Sequence, residues 1–263
     1  LFFINRVMAP RGTLSYRYPD STLGSQSHII STEVQALIRF AYNEKYIDYT
    51  FSRLSMGTRY PIVTMLYTYG MKGVFKSNYE YHKLTLNVND RIRINPLVGY
   101  TDYIVEAGKI WGAVPFPLLA LHGGNETIIY DPYAFNMMNY FEFASDQYLT
   151  VQVFHHFDGF FLNHIPIMRK LKWREVVSGK YLIGSISGKN RDLLLFPATL
   201  TSLNKGPYYE VSAGVENIFR FFRIDVLWRL SYIDKDYVKF YTAASGDRKV
   251  PIIGFRGSLQ INF

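Results

Sequence analysis

From Ile253 onward the chain alternates. Ile253, Phe255, Leu259, Ile261 and Phe263 fall on one parity, interrupted only at Gly257, while Arg256, Ser258, Gln260 and Asn262 fall on the other. Residues 222–232 repeat the pattern, with Phe222, Ile224, Val226, Trp228, Leu230 and Tyr232 set against Arg223, Asp225, Leu227, Arg229 and Ser231. Successive side chains of a strand point to opposite faces, so each run predicts a strand with one apolar and one polar face. Runs of ten or more residues suit strands that cross a bilayer at a tilt, with lipid on one side and a polar interior on the other. An exposed edge strand of a soluble sandwich is the alternative, with the same alternation over a shorter run.

The same period of two organises residues 33–111. Val34, Ala36, Ile38, Phe40 and Tyr42 share one parity, as do Val63, Met65, Tyr67, Tyr69 and Met71. In the next run Leu84, Leu86, Val88, Ile92 and Ile94 oppose Thr85, Asn87, Asn89, Arg91 and Arg93. Further strands are expected over 99–111, from 149, over 172–187 and over 208–218, the last turning at Phe219-Arg220 into 221–232. LFFINRVMA and GTLSYRYPD in the first thirty residues read as two more. The fold class is therefore all-β, a transmembrane antiparallel barrel to which this one domain, 1–263, contributes eleven or twelve strands. Long connections at 112–147, 188–207 and 233–250 alternate with those at 95–98, 158–171 and 219–220, which places the long set outside the membrane and the other set inside.

The segment 112–147 breaks the rhythm with Pro115, Pro117, Pro132 and Gly123-Gly124. A connection this long is usually functional. It also carries Phe116, Leu118, Leu119, Ile128, Ile129 and Phe135, too apolar a set for a free loop in water. It is expected to fold into the lumen or against other loops and a partner, with MNYFEF, including Tyr140, Phe141, Glu142 and Phe143, as an ordered strand-like piece.

Hydrophobic residues make up 48% of the chain, yet mean hydropathy is −0.04 and no run approaches the ~18 apolar residues of a membrane helix. A membrane-spanning chain of this kind spans as a barrel. Twenty-two Tyr, 20 Phe and 3 Trp suit aromatic girdles at the two interfaces. There is no cysteine, which excludes disulfides and thiolate metal sites. The net charge of +8 is scattered through strand-like segments, unlike the basic stripe of a nucleic-acid binder, and suits a basic lumen or a rim facing anionic lipid.

The polar parity supplies the candidate site. Lys172, Arg174, Glu210, Glu216, Arg223, Asp225, Arg229 and Arg256 would face inward and form ladders of opposite sign across neighbouring strands. Such a network either stiffens the wall or seats the 112–147 segment and lines a conduit. Catalytic chemistry finds little. His155 and His156 are strand neighbours that point apart, so they do not chelate one metal together. GSISG at 184–188 puts Ile186 where a hydrolase elbow needs serine, and phosphate-binding glycine loops are missing. No catalytic, cofactor or metal residues are assigned.

The terminal run, with Phe255, Leu259, Ile261 and a final Phe263, resembles the last strand of bacterial outer-membrane barrels, where it serves as an assembly signal. YDPYAFNMMNYFEFASDQYLTVQVFHHFDGFFLNHIPIMRKLKWREV and PYYEVSAGVENIFRFFRIDVLWRLSY resemble large Bacteroidota outer-membrane proteins that carry an amino-terminal carboxypeptidase-regulatory-like domain and a barrel domain of unassigned function. The resemblance runs from about residue 33 to Phe263. It implies a bacterial outer-membrane location and a missing amino-terminal region, in keeping with a chain that starts at Leu1 without signal-peptide architecture. More distantly the pattern is similar to the sixteen-stranded Omp85 barrels, whose long loop before the last five strands enters the lumen. That family's loop tip is Arg-Gly-aromatic, and MNYFEF has no such Arg. The implied function is non-enzymatic outer-membrane biogenesis, with protein insertion or export as part of a complex. Its partners would be lipid and subunits of an envelope-assembly complex, with no nucleic acid and no cofactor. The alternatives are a passive pore or structural barrel and, further off, a lipid-modifying enzyme.

Overall fold

Ten strands pair in chain order, each antiparallel to the next, because every second residue along the chain is apolar and short or long turns reverse its direction. They are β1 (Phe2–Met8), β2 (Ile29–Ala41), β3 (Ile62–Gly70), β4 (Tyr81–Asn95), β5 (Gly99–Gly112), β6 (Gln147–His156), β7 (Arg174–Ser185), β8 (Tyr208–Ile218), β9 (Phe222–Arg229) and β10 (Ile253–Leu259). This computed structural model describes residues 1–11, 16–20, 25–95, 98–246 and 249–259. β1 and β10 are the edges of the sheet, and among the described residues no pairing joins them. Ten strands, not eleven or twelve, make up the sheet, and they are too few for a sixteen-stranded wall. Of the expected GTLSYRYPD strand, residues 12–15 fall outside the described residues, and Tyr16–Arg17 pairs with Ser25–Gln26 in a two-residue ribbon apart from the sheet.

The register joins the parities of separate strands into continuous faces. One row reads Phe40, Val63, Val88, Val105, Val151, Tyr181, Tyr209 across seven strands. A second reads Tyr103, Val153, Gly179, Val211, Trp228, Ile253. The opposite face carries Asn89, Ile104, Gln152, Lys180, Glu210 and Arg229 in a single row. A one-residue slip anywhere would exchange the faces, so the pattern pins the register.

Burial on these faces is the reverse of a water-soluble sheet. Asp225 is fully buried and Arg229 1% exposed, while Ile224 is 51% and Phe255 67% exposed. Two glycine seats, on β3 and β5, help the inner face pack. A side chain at Gly70 would overlap the ring of Tyr81, and one at Gly108 the ring of Tyr148.

The connections divide by end. Those at 71–80, 113–146 and 186–207, with the described parts of 9–28 and 230–252, gather at one end and build a cap, with apolar clusters around Phe116, Leu119 and Leu194 and around Phe143, Tyr208 and Tyr237. The one-turn helix α2 (Gly188–Arg191) and α3 (Lys235–Ser245) lie in this cap, the Asp234 carboxylate accepting from Tyr237 N–H as N-cap of α3. The other end has the 219–221 turn, the junction where Asn95 pairs with Gly99, the 157–173 connection with the six-residue helix α1 (Pro166–Leu171), and a hairpin extension, Lys45–Asp48 paired with Arg53–Gly57.

Candidate functional site

Residues 113–146 leave β5 at Gly112 and enter β6 at Gln147, and in between they press into the inner face of the sheet. Prolines and paired glycines deny this stretch a regular ladder, so its backbone polar groups need other partners in a buried place. The inner wall supplies them. Lys180, Glu210 and Arg229, cross-strand neighbours on β7, β8 and β9, each grip a different part of the segment.

Arg229 is the most heavily engaged. Its guanidinium meets both oxygens of Glu142, Nη2 to Oε1 at 2.6 Å and Nη1 to Oε2 at 3.1 Å, with both side chains fully buried. It also donates to the carbonyls of Met137, Ser231 and Tyr232 and lies 5.0 Å from the Tyr208 ring centroid. Glu142 accepts in addition from Tyr237 Oη at 2.7 Å and from Asn139 N–H at 2.8 Å. A bidentate pair with its remaining lone pairs filled is the geometry in which a buried ion pair is tolerated. It ties the segment to β9 and α3 at once. Burial, with the Glu142 charge next, pushes the Tyr237 hydroxyl well above its ordinary range, so it donates.

Lys180 points its ammonium into a ring of backbone carbonyls, Asp131 and Pro132 each at 3.0 Å and Ala134 closer still, beside the rings of Tyr130 and Phe154. Glu210 does the converse, accepting the N–H groups of Asn136 and Met137 at 2.7 and 2.8 Å. Arg256 on β10 donates to the Asn136 carbonyl at 3.0 Å. The unpaired edge of β10 is used too: Gly257 N–H donates to Ile128 and its carbonyl accepts from Tyr130 N–H.

Below the docked segment, toward the turn end, lies a cavity of about 1010 Å³ roofed by Pro132 and Tyr133. Its charged and polar groups are largely paired with one another: Arg91 with Asp102, Arg174 with Asp158, the His156 ring with Glu216, and Arg223 with Asp225. His156 stacks on Tyr100 at 4.6 Å, whereas its neighbour His155 contacts Thr101 on the other face. In the cap, His122 is buried against Ser145, Nε2 to Oγ at 2.9 Å. Burial, aided by the Lys83 charge, lowers its pKa to about 3, so the ring is neutral. The contact sits among buried residues and lines neither of the cavities described here.

Of the residues expected on an inner network, Glu210, Glu216, Arg223, Asp225 and Arg229 share the inner face and are buried, and Arg256 and Arg174 are half-buried on it. Lys172 is not on the wall. β7 starts only at Arg174, and Lys172 is the left-handed C-cap of α1, exposed, with its carbonyl accepting from Asn217. In MNYFEF, Glu142 and Phe143 are buried, but Tyr140 and Phe141 are 41% and 59% exposed. Residues 138–142 of the piece form a turn closed by Glu142, not a strand; strand-like pairing begins at its end, where Phe143 bridges to Thr201 and Ala144–Ser145 pairs with Ala120–Leu121. Phe255 and Leu259 lie exposed on the outward face, and Ile261 and Phe263 fall outside the described residues. Lys180 was missed, although its inward parity with Arg174 was present in the sequence. The wall and segment together can hold a polar plug in place and leave a charged cavity beneath it.

No curated protein matches the chain. Residues 15–190, two thirds of the chain, match the model described as the C-terminal domain of a family of unknown function (DUF5686), and the chain therefore belongs to that family.

Proposed function

We propose that this domain spans the bacterial outer membrane as an antiparallel β-barrel wall, and that it serves envelope biogenesis without catalysing a reaction. The observation that carries the reading is the inverted sheet: charged groups buried on one face, and a continuous apolar band exposed on the other. In water such a band costs free energy at every exposed side chain, whereas lipid accepts it. The free edge of β1, and that of β10 outside the stretch where Gly257 is held by Ile128 and Tyr130, close with further strands of a longer chain. The setting is that of a Bacteroidota envelope protein, with a carboxypeptidase-regulatory-like domain preceding the wall and partner subunits of an assembly complex beside it.

The docked 113–146 segment favours protein insertion or export by an Omp85-like barrel over a simple channel, because a wall that spends Lys180, Glu210 and Arg229 on holding a plug is not lining an open conduit. Depleting the protein in cells and then taking an inventory of outer-membrane and surface proteins tests this. Selective loss of a subset supports it, and an unchanged inventory overturns it. The cavity at the turn end favours a second reading, a passive pore or structural barrel. Planar-bilayer recordings separate the two: a plugged wall passes little steady current and a pore a large one.

A further inference from the structure

A second cavity, of about 730 Å³, opens in the cap at the opposite end from the charged one. Four separate stretches build it: Pro19, the 186–207 connection, Tyr232 and the exposed side of α3. Its apolar surfaces are rings and short aliphatics, Phe196, Phe240, Tyr232, Tyr237 and Leu195, and Phe240 and Leu195 are about half exposed into it. Between them stand side chains of both signs and both hydrogen-bonding senses, among them Arg191, Asp192, Asn204, Lys205 and Asp236.

We propose that this cap cavity binds a neutral oligosaccharide. The ligand class follows by matching the lining. An apolar ligand would take the charges of Arg191, Asp192, Lys205 and Asp236 out of water, and of these only Lys205, with Asp234, has an ion-pair partner among the described residues, which is unfavourable. An anion would meet Asp192 and Asp236, and a cation would meet Arg191 and Lys205. A polyhydroxylated neutral ring satisfies donors and acceptors together, since each hydroxyl is both. Its C–H faces carry slight positive charge and suit the electron-rich faces of Phe196 and Phe240.

The site is also pre-formed. Tyr237 is anchored by its hydrogen bond to Glu142, Tyr232 by one to the Gly206 carbonyl, and Lys205 by Asp234 at 3.3 Å. Fixed walls lower the ordering cost of binding. The volume lies within the range of small-molecule sites. That the cavity faces the cell exterior rests on the barrel reading above; that it binds sugar does not.

The test is calorimetric titration of the full chain, purified in a detergent without a sugar headgroup, with defined neutral trisaccharides of glucose, mannose, galactose and xylose. A charged uronic-acid trimer and an unrelated tripeptide serve as controls. Binding of at least one neutral trisaccharide is expected, weakened tenfold or more by Phe240→Ala and by Asp236→Asn. Both residues are exposed, and unchanged thermal unfolding of the variants shows that the fold is intact. Binding of none of the neutral sugars overturns the proposal, as does preference for the uronic acid or the peptide, or binding indifferent to both substitutions. Failure of the depletion experiment above would leave this result standing, and the converse also holds.

Discussion

Replacing Arg229 by Met removes the cation that Glu142 was buried against while keeping most of the side-chain volume. Both members of the pair have no exposed side-chain surface, so solvent does not take over the role of the lost partner. Glu142 keeps only Tyr237 and the Asn139 N–H, and the carbonyls of Met137, Ser231 and Tyr232 each lose a donor. Leaving a buried charge uncompensated costs about 3–5 kcal/mol, and the orphaned carbonyls argue for the upper part of that range. Urea unfolding of the protein in detergent or vesicles, followed by tryptophan fluorescence, measures the loss. Limited proteolysis within 113–146 reports whether the segment has come free. The double variant Arg229→Met/Glu142→Leu removes both charges and should recover much of the loss, with a coupling of up to about 3 kcal/mol. A single variant that loses less than about 1 kcal/mol with the segment still protected would refute the view that this pair holds it.

Three further outcomes are expected. Trp228→Arg or Val226→Arg, on the outward face of β9, should cost about 2–4 kcal/mol in a bilayer, and equal tolerance of Arg at Asn89, half-buried on the inner face beside the charged cavity, and at Val226 would contradict the assigned facing. Lys180→Met should raise both the proteolytic sensitivity of residues 130–136 and the single-channel conductance, since three carbonyls lose their donor; unchanged recordings and cleavage would count against the plug. His122 is held neutral, its pKa lowered from 6.5 to about 3, so below pH 6.5 the unfolded chain binds a proton that the folded one refuses. Stability should therefore fall as the pH drops from 6.5 toward 3, at a rate on the order of 1 kcal/mol per unit, and His122→Gln should flatten that slope in urea titrations.

The alternation of side chains was enough by itself to mark most of the strands and their two faces, because a period of two is a local property that each segment carries alone. Phe222 to Arg229 shows this most directly: exposure in the folded sheet follows the parity of the sequence. Length and Pro–Gly content likewise mark 112–147 as a distinct element in the sequence itself. What local pattern does not contain is which partners a polar group will find. Glu142 sits 87 residues from Arg229 in the chain, and Lys180 meets carbonyls, which have no sequence signature at all. The start of β7 shows the same limit, since two residues decided whether Lys172 joined the wall or capped α1, and the helix won through its left-handed C-cap. The tertiary structure alone decided that MNYFEF is a turn, that Glu142 and Phe143 go inward while Tyr140 and Phe141 do not, and that loops distant in sequence enclose the cap cavity. The physical reason is common to all of these. Facing depends on the covalent alternation of the backbone, whereas pairing of buried charges depends on which segments are brought within a few ångströms, and that is set by the whole fold.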